Sequence, residues 1–252
     1  MQRKQRSLLS AMTFLIFSGL QIDVIAAVEQ APGLEQRSVL APATRPVDTG
    51  RTLSPYFTPA TRLKKAPDEK GFIQRWLVLE PVKKDITRNN IFTDNYLRTT
   101  FEKDNFSTDF AVVPRNSEMA KVGEQQLKWY ALDSKLFNFK LFRFSYAINK
   151  PQYGVLFWVV TVINCPEEIS NVRMAAGCNS AGMFWLNGKE VLMLSGDRDM
   201  VVDNCTSARV TLHKGQNIIR GAVINGPGMC DFCLRFIDER GKPVKKFTVS
   251  YE

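Results

Sequence analysis

The residues with the most chemical potential lie between Ser195 and Asp199, where Ser-Gly-Asp-Arg-Asp follows the stretch Met-Phe-Trp-Leu-Asn-Gly-Lys-Glu-Val starting at Met183. A serine hydrolase needs a nucleophile on a strained turn, a histidine base and a carboxylate that orients the base. Ser195 lies in no Gly-x-Ser-x-Gly elbow, and its Ser-Gly-Asp reverses the order of a Gly-Asp-Ser block. The chain has one histidine, His213, inside Leu-His-Lys-Gly-Gln-Asn. That setting reads as a surface turn rather than a general base. One histidine without clustered carboxylates also gives no three-ligand metal set. A carboxylate pair working as acid and base needs only to meet in space, which leaves Asp197, Asp199, Asp203, Asp231 and Asp238 as candidates. Each is more simply a turn residue, so no catalytic residue is assigned.

Five cysteines, Cys165, Cys178, Cys205, Cys230 and Cys233, form an odd set without the dense spacing of a disulfide scaffold. Cys230-Asp-Phe-Cys233 has redox-motif spacing, but a redox pair sits at a helix N-terminus, where the dipole lowers a thiol pKa. Its context, Cys-Asp-Phe-Cys-Leu-Arg-Phe-Ile-Asp, reads as a strand, which sends the two thiols to opposite faces. Most of these cysteines are expected as small buried hydrophobes, with all five open as participants in a single disulfide.

Binding is better served than catalysis. Sugars are recognised by an aromatic plane against ring C–H groups and by polar side chains that reach paired hydroxyls. Alternation along the strand entering Asn187-Gly188 puts Phe184 and Leu186 on one face and Trp185 on the other. With the first pair in the core, Trp185 faces outward beside the turn. Asn179, Arg198 and Asp199 then become its polar partners if their loops converge. Trp158 lies in a continuously apolar run and is expected in the core.

The elements that must position these groups follow from the rest of the chain. Residues 1–27 read as an export signal: a basic Met-Gln-Arg-Lys-Gln-Arg start, about 13 apolar residues and a small-residue end at Ala26-Ala27. The apolar run is too short to span a bilayer comfortably, so no stable membrane span is expected after cleavage. Residues 28–70 carry Pro32, Pro42, Pro46, Pro55, Pro59 and Pro67 without helical or strand period, and read as an extended arm or linker. From Gly71 to Glu252, apolar runs alternate with turn signals. A short helix capped by Asp94 is expected, with Tyr96-Leu97 and Phe101 on one side. Phe137, Phe139, Leu141, Phe142 and Phe144 nearly alternate, as in a half-exposed strand. The run from Tyr153 to Pro166 reads as a central strand covered on both faces. Strands on either side of Asn187-Gly188, two joined at His213-Lys-Gly-Gln216, and a final hairpin at Arg240-Gly241 complete the set. Eight or more strands with little helix give an all-β fold, a two-sheet antiparallel sandwich.

The chain has 252 residues and a formal net charge of +9, which raises the question of nucleic acid. Part of the excess sits at Arg3, Lys4 and Arg6, and the pairs Lys64-Lys65, Lys83-Lys84 and Lys245-Lys246 are scattered without interleaved stacking aromatics. A groove that tracks a nucleic-acid backbone needs both. Nucleic acid is therefore not an expected partner.

In order, Arg-Trp-Leu-Val-Leu-Glu-Pro-Val from Arg75, Tyr-Gly-Val-Leu-Phe-Trp from Tyr153, Trp185-Leu-Asn-Gly-Lys189, and Lys214-Gly-Gln-Asn217 form a pattern across 71–252. It resembles the galactose-binding-like, jelly-roll β-sandwich modules attached to bacterial polysaccharide-degrading proteins. It is similar in particular to those carried by acetylxylan esterases and other secreted carbohydrate-active proteins of Bacteroidetes. Glu80 stands where that pattern usually has Gly, and Asn179-Ser180 where acidic residues are commoner. The resemblance implies an exported, periplasmic or secreted, non-catalytic module that binds a polysaccharide or oligosaccharide, or positions a secreted carbohydrate-active enzyme. The alternative it implies is a carbohydrate esterase of the acetylxylan type, or a fragment or accessory of one. No cofactor is expected, and a structural calcium ion finds no support in Asn179-Ser180.

Overall fold

A computed structural model describes residues 50–86, 92–103 and 112–252. The signal segment 1–27 and the first part of the Pro-rich arm lie outside the described residues. The centre of the fold is β6 (Val155–Cys165), in which every residue is buried. Its β-branched and aromatic residues meet a packed layer on each face, as its unbroken apolar run requires.

The large sheet grows outward from β6. On one side, β12 (Gly215–Asn225) pairs with it over its full length, from Gly215↔Cys165 to Asn225↔Val155. Beyond β12 lie β8 (Ser180–Leu186) and β9 (Lys189–Arg198). They are joined by the turn at Asn187 (φ 50°) and Gly188 (φ 82°), the left-handed pair that a two-residue hairpin uses. Asn187 is also tied to β12, because Ile218 N–H donates to its Oδ1 at 2.8 Å.

The other edge of β6 is shared by β2 (Arg75–Leu79), β3 (Val82–Lys83) and β14 (Thr248–Ser250). Pro81 falls in the break between β2 and β3, where no ladder N–H is needed. β5 (Gln125–Ser134) pairs with β2, and Arg75 grips Asp133 across that pair through two 2.8 Å hydrogen bonds. β4 (Met119–Val122) and β1 (Phe57–Pro59) flank β5. Since β1 belongs to the Pro-rich segment and Tyr56 and Phe57 are buried, the packed domain begins upstream of the boundary expected at Gly71.

The second sheet is smaller and centres on β7 (Ile169–Cys178), with β13 (Phe232–Ile237) on one edge and β10 (Cys205–Thr206) and β11 (Val210–Leu212) also paired to it. The two antiparallel sheets make the expected sandwich. Between them lies the main core, including Trp76, Phe157, Phe184, Phe232 and Phe236. Gly221 allows this contact, because a Cβ there would come within 2.5 Å of the Phe184 ring.

The large sheet is covered on its other face as well. Helix α1 (Asp94–Lys103) lays Leu97 and Phe101 over Trp158, Trp185, Met183 and Ile224 in a second apolar cluster. The helix forms where expected, but the capping oxygen is Thr93 Oγ1, which accepts Tyr96 N–H at 3.2 Å, and Asp94 opens the first turn.

One expectation changes. Phe137–Phe144 is not a strand: only Phe139 bridges, to Phe232, and α2 (Leu141–Ala147) follows. Leu141, Phe144 and Ser145 are its buried residues, spaced at i, i+3 and i+4 as in a helix. The Arg240-Gly241 turn closes the short hairpin expected there: Ile237 bridges Pro243, Asp238 N–H donates to Lys242 O at 2.8 Å and Val244 N–H to Phe236 O at 2.9 Å. The strands around it part company, β13 in the small sheet and β14 in the large one, so the segment crosses from one sheet to the other.

Candidate functional site at the Asn179–Asp231 end

The strand directions bring one set of chain segments to the same end of the sandwich. β7 ends at Cys178, β8 begins at Ser180, β9 ends at Arg198, β12 ends at Asn225, and β6 and β13 start beside them. Ser180 is paired with Arg198, which sets Asn179 and Asp199 close together. Ser195-Gly196-Asp197 is an irregularity in this pair: the register runs from Gly182↔Leu194 to Ser180↔Arg198, so extra residues bulge from β9. Gly196 (φ 88°) provides the left-handed backbone and donates its N–H to Phe92 O at 2.7 Å, while Arg198 Nε donates to Ser195 O at 2.6 Å. The Ser-Gly-Asp stretch is thus a bulge that aims Arg198.

Asn179 is fixed from both sides. Its N–H donates to Asp231 O at 2.9 Å, and its Oδ1 accepts Asp231 N–H at 3.1 Å. Asp231 is 5% exposed, and its Oδ2 accepts from Lys140 Nζ and, at 3.3 Å, from Asn138 Nδ2. Its Oδ1 has no partner. Burial pushes the Asp231 carboxyl above the usual carboxylate range, against the pull of Lys140 and Arg143.

Aromatic surface stands at the same end. Tyr153 is 56% exposed and packs edge-on against half-buried Phe142, with ring centroids 5.6 Å apart. Phe142 is held by its N–H to Cys230 O at 2.9 Å, next to Asp231. Gln152, beside Tyr153, accepts Asn225 Nδ2 at 2.6 Å through its carbonyl, and Asn225 Oδ1 accepts from Ser180 Oγ at 3.5 Å. A chain of contacts therefore runs from Tyr153 through Asn225 and Ser180 to Arg198.

Three of the four residues named from sequence, Asn179, Arg198 and Asp199, are brought together here. Trp185 is not with them and does not face outward. It lies five residues along β8 from Ser180, roughly 17 Å away. It is 7% exposed, with Phe101 at 6.3 Å and Trp158 at 5.8 Å between ring centroids. The face opposite Phe184 is covered by α1, so alternation chose between two cores rather than between core and solvent. Trp158 is fully buried, as expected.

Sequence reasoning passed over Tyr153, Phe142 and Lys140 as site residues, and named Asp231 only as one of five candidate catalytic carboxylates. The one available signal was Gln152-Tyr153-Gly154, an aromatic residue between polar and turn-forming neighbours just before the central strand.

The remaining reactive groups lie apart. His213 sits at the opposite end, exposed, with Nδ1 3.5 Å from Glu168, so the Ser195–His contact that a serine esterase requires is not made. All five cysteines are free, four of them buried and Cys205 half-buried. Cys230 faces the main core while Cys233 lies opposite Gly177 on the other face of β13, which separates the two thiols as expected. Burial raises the Cys178 and Cys230 thiols and pushes Cys233 up to about 11. Among the described residues no group of three or more His, Cys, Asp or Glu side chains is placed to hold a metal ion. No helix among them is long and apolar enough to cross a membrane.

No family model and no curated protein matches the chain. Solved structures similar to it include a PA14 sugar-binding domain from an RTX adhesin, with 8% identity and a TM-score of 0.43, covering 71% of this chain and all of that one. The PA14 domain of the antifreeze protein MpAFP gives 10% and 0.41, covering 77% and 95%. The A domain of epithelial adhesin 9 from Candida glabrata, solved with Galβ1-4GlcNAc, gives 10% and 0.35 over the same shares. At such identities and scores none of them assigns a ligand or an activity to this chain.

Proposed function

We propose that this chain is an exported carbohydrate-binding β-sandwich that takes an oligosaccharide at the Asn179–Asp231 end and works beside a secreted carbohydrate-active enzyme. The observation that carries the reading is exposed Tyr153, backed by half-buried Phe142, at the same end as Asn179, Arg198, Asp199 and Lys140. An aromatic plane suits the apolar face of a sugar ring, and the surrounding amide, guanidinium and carboxylate suit its hydroxyls. Lys140, Asn138 and Asp231 form the support, because their mutual bonds hold the rim on the rigid edge of β13.

Glycan-array screening of the purified protein, followed by calorimetry with the retained glycan, tests this. Tyr153→Ala is expected to weaken binding about tenfold or more, through loss of a stacking contact of roughly 1–2 kcal/mol. Retention of no glycan, or equal affinity in Tyr153→Ala and Asn179→Ala, contradicts the reading.

A further inference from the structure

At the opposite end of the sandwich three lysines from two segments distant in sequence, Lys64 and the pair Lys245-Lys246, line one groove. Lys64 is set by the bridge between Lys65 and Val249, and Lys245 and Lys246 precede β14, whose Val249 makes that bridge. With the β6–β7 turn and the start of β12 they enclose a groove of about 680 Å³. Asn164, Gln216 and Thr248 line it between the lysines. Asn164 is 8% exposed and held by its Nδ2 donating to Ser250 Oγ at 3.0 Å, so the polar floor is rigid.

We infer that this groove binds an acidic oligosaccharide, a second binding site independent of the Tyr153 end. Three ammonium groups supply positive charge for carboxylates or sulfates, and the amides and hydroxyl between them suit sugar hydroxyls. The opposing charge is weak: Glu167 stands 4.0 Å from Lys246, with both side chains largely exposed, and such pairs are worth little. Lys245 Nζ donates to Glu69 O at 3.2 Å, a neutral carbonyl that leaves its charge uncompensated. Nucleic acid is the poorer occupant, because the one aromatic residue of the groove, Phe247, is 3% exposed and offers no stacking face.

The test is calorimetry of the whole protein with trigalacturonate, neutral galactotriose and a short thymidine oligonucleotide. Trigalacturonate is expected to bind, to weaken as sodium chloride shortens the screening length below about 8 Å, and to bind about tenfold more weakly to the Lys245→Gln/Lys246→Gln double variant. It is expected to bind Tyr153→Ala as it binds the parent, which separates failure here from failure of the first site. Absence of trigalacturonate binding, or binding indifferent to the double variant, overturns the inference. Tighter binding of the oligonucleotide that is lost in the double variant also overturns it, by giving the groove to nucleic acid.

Discussion

The two ends of the sandwich are built from the same strands and differ in what closes them. At the Asn179–Asp231 end long connections converge, carrying α2, the Val201–Asn204 loop and the β9 bulge, and buried polar groups hold them. At the Asn164–Gln216 end the closures are short turns, and charge stands on exposed lysine stems around a fixed floor. The first end spends fold stability on geometry: Asp231 is buried with a raised carboxyl, and three thiols are desolvated nearby. The second keeps its charges in water, where they cost little. Precise hydrogen bonding and long-range attraction thus occupy separate regions of one fold.

The sharpest break of this contrast lies at Gly177. A Cβ there would stand 1.8 Å from Val201 O, in the loop that delivers Asp203 to Arg235. Gly177→Ala should cost about 3 kcal/mol or more, by the cost of forcing atoms into a packed site. A urea melt measures it. The damage should be local, with glycan binding at the Tyr153 end lost and trigalacturonate binding retained in whatever fraction stays folded.

The buried thiols give the next largest effect. Their folded pKa values lie above the ordinary value of 9.0, so above pH 9 the unfolded chain releases protons that the folded chain keeps. Stability must therefore fall as pH rises from 9 towards 11. Cys233 alone, displaced to about 11, contributes about 2 kcal/mol of that loss. Urea midpoints between pH 8 and 10.5 measure it, and Cys233→Ala should flatten the slope.

At the turn end, Asn187→Ala removes the side chain that accepts Ile218 N–H and donates to Asn217 at 3.0 Å, and strains a φ of 50°. A loss of about 1–2 kcal/mol is expected, with no change in which glycan the Tyr153 end binds. Asp231→Asn works in the opposite sense. Because the folded state favours the neutral carboxyl, the amide should leave stability at pH 7 unchanged or higher by up to about 1 kcal/mol. That advantage should fade as pH falls through the raised carboxyl pKa towards 3.8. Comparing urea midpoints at pH 7 and pH 4 reads both signs. Smallest of all, His213→Ala should shift stability by less than about 0.5 kcal/mol, as expected of an exposed turn.

Most of the large sheet was legible in the chain. The unbroken apolar run of β6, the Asn187-Gly188 hairpin and the Leu97/Phe101 face of α1 each have one physical reading. What was not legible has a common cause: local pattern does not say what covers a face or which sheet receives a strand. Trp185 alternates correctly with Phe184 and Leu186, yet its face meets α1 instead of water. Phe139 to Phe144 fits both a period of two and a helical turn, and packing of Leu141 and Phe144 on the core decides for the helix. Arg240-Gly241 closes a short hairpin as its residues suggest, but nothing local says that the chain beyond it crosses to the edge of β6. The candidate site was legible in its polar part, since Asn179, Arg198 and Asp199 all flank strand ends. Its aromatic part was hidden because Tyr153 belongs to a different connection, brought near only by the pairing of β6 with β12.

The central claim is that an oligosaccharide binds at the Tyr153 end of the sandwich. Amide chemical-shift mapping with the best glycan from the array tests it most directly. The account predicts shifts at Asn179, Arg198, Asp231 and Tyr153, quiet amides around Lys245 and Lys246, and an unshifted Trp185 indole. Shifts confined to the lysine groove or to the Trp185 cluster, with Tyr153 and Asn179 silent, would contradict it.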